Sequence, residues 1–338
     1  MRCGEAEVGS SATERAADRV WSGIADDIRA SLEARLGTKY ARQRLGIEKD
    51  HEAQVFGQGL NFFHIENLIV SHTVIRGILK LACVYGIGRR NAARLTVRHN
   101  EVRSALVPAS FDGFKLLHLS DLHADISQDA MASLSELVRG LDYDLCVLTG
   151  DYRGQTYGPF EAALAGTREV CAGLKGEVYG VLGNHDTILM VPGLEAMGIR
   201  MLLNEAVTIE REGASIHLAG IDDAHFYRVD NIEKASAGIP ADEFSVLLSH
   251  TPEIYRQAAH ADFDLLLAGH THGGQICLPG GIPVVLDAVL PRSMGAGRWV
   301  HGDMAGYTSV GAGTSIVPVR FNCPPEITLH HLRRDQAQ

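Results

Sequence analysis

The sequence predicts an α/β layered fold for most of the chain, on three observations. Short apolar runs recur from Phe114 onward, of a length that suits buried strands. Helical stretches alternate with them. Run after run ends on glycine, aspartate, asparagine or histidine, where such sheets gather their functional groups.

Bulk properties narrow the function. A chain of 338 residues holds one large domain or two smaller ones. With 46% hydrophobic and 21% charged residues it is globular, not disordered. The net charge of −10 argues against wrapping a long nucleic acid, which calls for a basic face. A small phosphorylated substrate stays open, because bound cations make an acidic site locally positive. Six scattered cysteines with no C-x-x-C pair suit a reducing compartment, and Cys146 reads as a small core residue. The start Met1-Arg2-Cys3-Gly4-Glu5 lacks the pattern of a signal peptide, so a cytoplasmic location is expected.

Residues 1–92 read as a helical extension and 93–338 as the main domain. Ser11-Ala12-Thr13-Glu14 resembles a capping box, followed by Val20, Ile24, Ile28 and Leu32 at helical spacing, with Gly37 as the stop. Residues 38–59 continue as helix and linker. The stretch 60–86 is strongly apolar, but Glu66, Arg76 and Lys80 argue against a membrane-spanning helix. It packs on the protein's own core, or it lies on a bilayer surface with Arg76, Lys80, Arg89 and Arg90 at the head groups. Its modest positive charge favours the core. Arg94 to Val102 alternates as a strand, and Pro108 to Gly113 turns into the first buried run.

Five runs then end in chemistry. Phe114–Leu119 ends in Ser120-Asp121-Leu122-His123, where a carboxylate and an imidazole can share one metal. Alone, the pair is better explained by an Asp cap beside an incidental His. Leu145–Thr149 ends in Gly150-Asp151, whose carboxylate can bridge two cations, although Gly-Asp is also common turn chemistry. Val178–Leu182 ends in Gly183-Asn184-His185-Asp186, a neutral amide ligand followed by a histidine that can reach a substrate. Ser245–Ser249 ends in His250, with Pro252 close behind. Asp264–Ala268 ends in Gly269-His270-Thr271-His272-Gly273-Gly274-Gln275, with two imidazoles suited to Zn, Mn, Fe or Co. Five such endings in one order outweigh the bland reading of each.

This series, over about 111 to 329, resembles the calcineurin-like metallophosphoesterase superfamily. Gly269–Gln275, Gly220-Ile221-Asp222-Asp223 and Arg320-Phe321-Asn322-Cys323-Pro324-Pro325-Glu326-Ile327 resemble its YkuE-like branch. The resemblance implies a two-sheet β-sandwich flanked by helices, with two divalent metals at one edge. It implies one metal on Asp121, His123, Asp151 and His272, and another on Asp151, Asn184, His250 and His270. Asp151 would bridge them, and so would a hydroxide positioned for in-line attack on phosphorus. His185 is the candidate general acid. Asp186 either orients it or caps the next helix. Mn is expected first, with Fe, Zn or Co as alternatives.

Substrate contacts are less constrained. Arg153 offers a bidentate phosphate clamp or is simply a solvated cation. Asp222, Asp223 and His225 follow another apolar run and can shape a substrate loop. Arg298 and Arg320 are further loop cations. The expected reaction is hydrolysis of a phosphodiester or pyrophosphate, with a phospholipid-type or nucleotide-linked lipid substrate and peripheral membrane contact through 60–90. A phosphomonoesterase, a phosphoprotein phosphatase and a noncatalytic scaffold of the same fold are the alternatives. Oligomeric state is not legible.

Overall fold

Both faces of the central strands are buried, so their sequences are continuous apolar runs. In β2 (Lys115–Leu119), Leu116 enters one core while Leu117 and Leu119 enter another. β3 (Leu145–Leu148) divides likewise, with Leu145 and Val147 on one side and Cys146 and Leu148 on the other. β8 (Ser245–Leu248) and β9 (Leu265–Ala268) do the same between the shared core and a third one.

The computed structural model describes residues 26–57 and 69–335, with side chains omitted over 53–73. Two six-stranded sheets face each other across the shared core, which draws Leu116, Val147 and Tyr179 from one and Leu218, Val246 and Leu267 from the other. The first sheet runs β1 (Thr96–Ser104), β14 (Glu326–Arg334), β2, β3, β4 (Glu177–Gly180), β5 (Ile199–Met201). All its pairs are parallel except β14 with β2. The second runs β12 (Gly297–His301), β13 (Met304–Thr308), β9, β8, β7 (Ala214–Gly220), β6 (Glu205–Arg211), antiparallel at its two outer pairs. A small hairpin, β10 (Cys277–Leu278) and β11 (Ile282–Pro283), stands apart. The layered α/β expectation and the two-sheet sandwich are both met. The expected strand over Arg94–Val102 is β1.

Helices cover the outer faces. Two helices, α1 (Asp26–Leu36) and α2 (Thr38–Gly57), meet at Gly37, whose φ of +81° favours glycine at the break. Leu32, Ala41 and Leu45 are fully or almost fully buried and belong to the same core as Leu117, Cys146 and Val178. α1 and α2 therefore contribute side chains to the core of the main domain. The capping box at Ser11, together with Val20 and Ile24, lies outside the described residues. α3 (Ile69–Leu81) and α4 (Tyr85–Ala92) follow. No described side chain of α3 is buried, and Val74, Ile78 and Leu81 are exposed. The core reading of 60–86 does not hold for this part, because α3 packs mainly on α4 and not on a sheet face. No helix among the described residues is long and apolar enough to cross a membrane. On the remaining faces, α5 (Gln128–Arg139), α6 (Glu161–Cys171) and α7 (Val191–Glu195) cover the first sheet, and α8 (Ile232–Ser236) and α9 (Tyr255–His260) the second.

One polar file interrupts the shared core. Asn100 Nδ2 lies 3.0 Å from His330 Nδ1, and His330 Nε2 lies 3.3 Å from His118 Nδ1. His118 Nε2 then meets Thr149 Oγ1 at 2.8 Å, and Thr149 donates to Ser120 Oγ at 2.7 Å. Burial holds the His118 imidazole neutral, pushed down to about 3. A neutral ring with two satisfied nitrogens costs little in the core. The file ends beside Asp121.

The docking of α1 is testable. Leu32→Ala removes a fully buried side chain and is expected to cost about 2–5 kcal/mol. Chemical denaturation of the full chain reads this. A loss under about 0.5 kcal/mol would contradict the described packing.

Candidate metal centre

The loops after β2, β3, β4, β8 and β9 meet because small residues let their backbones touch. Asp121 N–H donates to Gly150 O and His123 N–H to Asp151 O, both at 3.0 Å, so pairing continues past the strand ends. Gly269 N–H does the same to His250 O at 2.8 Å. A Cβ at Gly269 would overlap Ser120 Oγ and Asp121 Oδ2, and one at Gly183 would overlap the Asp151 carboxylate. The glycines at these strand ends are the room in which the acidic groups sit.

The backbone pays for this convergence. Asp121, His123, Asp151, His270 and His272 all have positive φ, between 40° and 72°. Each costs on the order of 1–2 kcal/mol. Asp186 compensates by holding the tightest turn. Its carboxylate accepts from the amides of Asp151 and Gly183 at 2.8 Å and of Tyr152 at 3.0 Å. The side chain is fully buried and its carboxylate is spent on these backbone amides.

Asp121, His123, Asp151 and His272 offer ligand atoms that all lie within 4.8 Å of one another, and all four are buried. His123 Nδ1 donates to Arg153 O at 2.8 Å, which turns Nε2 and its lone pair inward. His123 Nε2 and His272 Nε2 face each other at 3.1 Å, and His272 Nε2 lies 3.4 Å from Asp121 Oδ1. The remaining expected ligands adjoin this group. His250 donates from Nδ1 to Thr149 O at 2.7 Å and places Nε2 3.3 Å from Asp151 Oδ2. The His250 and His270 rings stand edge to face, 5.1 Å between centroids.

The donor set fits cations. Asn184 Oδ1, His250 Nε2 and His270 Nε2 are buried without a hydrogen-bond partner. Native cores rarely leave such atoms unpaired; the Asn184 oxygen and the neutral His270 ring are acceptors suited to a metal, and the His250 ring becomes one on losing its proton. Electrostatics agrees. Burial opposes ionisation of Asp151, yet His250, His185 and His123 outweigh it and hold the carboxyl well below its usual range. Burial likewise opposes a charge on His250, but Asp151 reverses it and pushes the imidazole up to about 10. Burial keeps His270 and His272 neutral. Asp151 thus draws positive charge, here the His250 proton, while His270 and His272 stand by as neutral imidazoles.

The family model of calcineurin-like phosphoesterases matches residues 114–274. The Bacillus subtilis metallophosphoesterase YkoQ is 33% identical over 227 residues, covering 64% of this chain and 83% of YkoQ. This chain belongs to the calcineurin-like phosphoesterase family. It is also similar to the Bacillus subtilis metallophosphoesterase YkuE, 29% identical over 70% of this chain and 85% of YkuE. Escherichia coli phosphodiesterase YaeI is 28% identical over 65% of this chain and 82% of its own. As a metallophosphoesterase the chain is a hydrolase of phosphoric esters that uses divalent metal.

Around the metallophosphoesterase centre the expected substrate residues take different places. His185 donates its amide to Asp151 Oδ1 at 3.0 Å and holds Nε2 3.9 Å from Asp151 Oδ2. Its Nδ1 lies 3.2 Å from Thr156 Oγ1, so the ring is fixed from behind. Arg153 matches neither of its expected readings. It is buried, and its guanidinium donates to the carbonyls of His185, Thr156 and Gly158. It braces the His185 loop from inside the protein. Asp222 is buried against Tyr40 and Arg44, and Asp223 accepts the amides of His225, Phe226 and Tyr227. Both shape the fold of the loop, not its open face. The His225 ring lies tilted against His270 with 4.2 Å between centroids, and it pairs through Nδ1 with Glu253 at 2.6 Å. Burial opposes a charge on His225, but Glu253 raises it above the ordinary histidine range.

Arg320 is also buried, donating to the carbonyls of Val310, Gly311 and Gly313 behind His272. Arg298 lies exposed on β12. Glu253 and Thr156 were not legible as site residues. Glu253 directly follows Thr251-Pro252, and only the fold shows that it faces His225. Thr156 lies in a loop with no pattern.

Gly269 isolates the importance of close approach. Gly269→Ala is expected to weaken Mn binding at least tenfold, since the added methyl displaces the Asp121 carboxylate. Titration of metal-stripped protein measures it, and unchanged affinity would contradict the geometry.

Proposed function

We propose that this metallophosphoesterase hydrolyses a phosphodiester or pyrophosphate bond, with two divalent cations held by Asp121, His123, Asp151, Asn184, His250, His270 and His272. The observation that carries the reading is the buried acceptor set around Asp151, three of whose atoms lack any hydrogen-bond partner. When bound, the cations supply an activated water and clamp the phosphoryl oxygens. Manganese suits mixed nitrogen and oxygen donors without thiolate, as do iron, zinc and cobalt.

The chain's own residues do the rest. Asp151 fixes the His185 backbone, and Thr156 fixes its ring, so the imidazole stands at the edge of the cluster with Nε2 forward. From there it can deliver a proton to the leaving oxygen. Glu253 and His225 place a cation-tolerant dyad beside His270, where a substrate phosphate can be met. The acidic carboxylates are backed by amides and buried, so bulk water reaches them poorly.

The name of YaeI supports the diester over the monoester. A lipid-linked substrate is supported by α3, whose exposed Val74, Ile78 and Leu81 share a surface segment with Arg76, Lys80, Arg89 and Arg90. The protein then works inside the cell at the face of an anionic membrane.

Hydrolysis of bis-p-nitrophenyl phosphate against p-nitrophenyl phosphate tests the reaction. Mn-dependent cleavage is expected to favour the diester and to vanish in Asp151→Asn. His185→Asn is expected to lower kcat by 10²–10⁴ with metal still bound. Cleavage of the monoester alone would sink the diester reading. Vesicles of anionic lipid are expected to raise the rate on a lipid diester.

A further inference from the structure

The family match spans 114–274, yet the loop that carries Asn184 and His185 is held from outside that span. On α2, Glu48 lies one turn past Arg44 and both are buried. Glu48 accepts Thr187 Oγ1–H at 2.5 Å and Ile188 N–H at 2.8 Å. Arg44 pairs with Glu48 at 2.8 Å and with Asp222 at 3.0 Å, and donates to Asp186 O at 3.3 Å. Its guanidinium also lies 3.9 Å over the Tyr227 ring. Tyr40, one turn earlier, donates to Asp222 at 2.5 Å.

The loop is therefore gripped on two sides. Asp186 ties it inward to the amides around Asp151, while Glu48 and Arg44 tie Asp186 O, Thr187 and Ile188 outward to the helix. Buried ion pairs add little stability over apolar residues of similar volume, so stability alone does not explain this cluster. What a carboxylate supplies here is two fixed acceptors for two donors of one loop. A loop that must hold an amide ligand and a proton donor in register needs that kind of fixing.

We propose that α2 is a working part of the metal centre, with Arg44 and Glu48 as positioning residues for Asn184 and His185. The proposal rests on the phosphoesterase reading above, in which Asn184 holds metal and His185 gives the proton. It makes the N-terminal helical pair a required part of this enzyme's site.

The test uses the full chain with Glu48→Ala, Glu48→Gln and Thr187→Val, alongside Arg35→Ala. Arg35 anchors α1 through Glu195 and Glu205, touching no part of the loop, and serves as a control for docking strength. Two quantities are read: Mn affinity by titration of metal-stripped protein, and kcat and KM for bis-p-nitrophenyl phosphate. Glu48→Ala is expected to weaken one of two bound Mn ions at least tenfold and to lower kcat about tenfold, with KM within threefold. Thr187→Val should shift both in the same direction by less, and Glu48→Gln, which keeps one acceptor, should fall between wild type and Glu48→Ala. Arg35→Ala should leave Mn affinity within twofold even where its unfolding midpoint drops as far. Equal loss of affinity in Arg35→Ala and Glu48→Ala at equal stability would overturn the proposal. So would wild-type affinity and kcat in Glu48→Ala. A wild type that binds no metal and cleaves nothing would instead overturn the phosphoesterase reading, and the proposal with it.

Discussion

Asp151 is the group on which the rest of the structure depends. A carboxylate with almost no exposure is expensive to bury as an anion, and the fold surrounds it with three histidines within 3.9 Å and one backbone amide. That surrounding dictates the glycines at 150, 183 and 269, because each stands where a side chain would collide with a neighbouring loop or carboxylate. It also dictates the left-handed backbone at five ligand positions. A structure carrying that much local cost needs compensation elsewhere, and the two-sheet core with its helical covers supplies it.

The compensation is specific as well as bulky. Arg153, Arg320 and Arg44 are all buried, and each spends its donors on loop carbonyls or carboxylates behind a ligand. A planar guanidinium with five donors is suited to this, since one side chain can tie several carbonyls of an irregular loop. The supports behind the centre are thus polar, buried and largely hydrogen-bonded.

Much of this was legible in the sequence because of one regularity. Central strands buried on both faces leave unbroken apolar runs, and their ends stand out against them as Asp-x-His, Gly-Asp, Gly-Asn-His-Asp and Gly-His-Thr-His. The supports were not legible. Arg153 and Arg320 look like loop cations, since burial against carbonyls leaves no periodic trace. Arg44 and Asp222 are 178 residues apart, and nothing local marks their pairing. The exposure of Val74 and Ile78 on α3 was misjudged for a related reason: an apolar helix reads the same whether it meets a core or another surface.

The most direct test of the central claim is an anomalous-scattering map from a crystal of the chain grown with manganese. The account predicts two manganese peaks about 3.5–4 Å apart, with the Asp151 carboxylate between them. A single peak, or peaks bound away from Asp151, would contradict it.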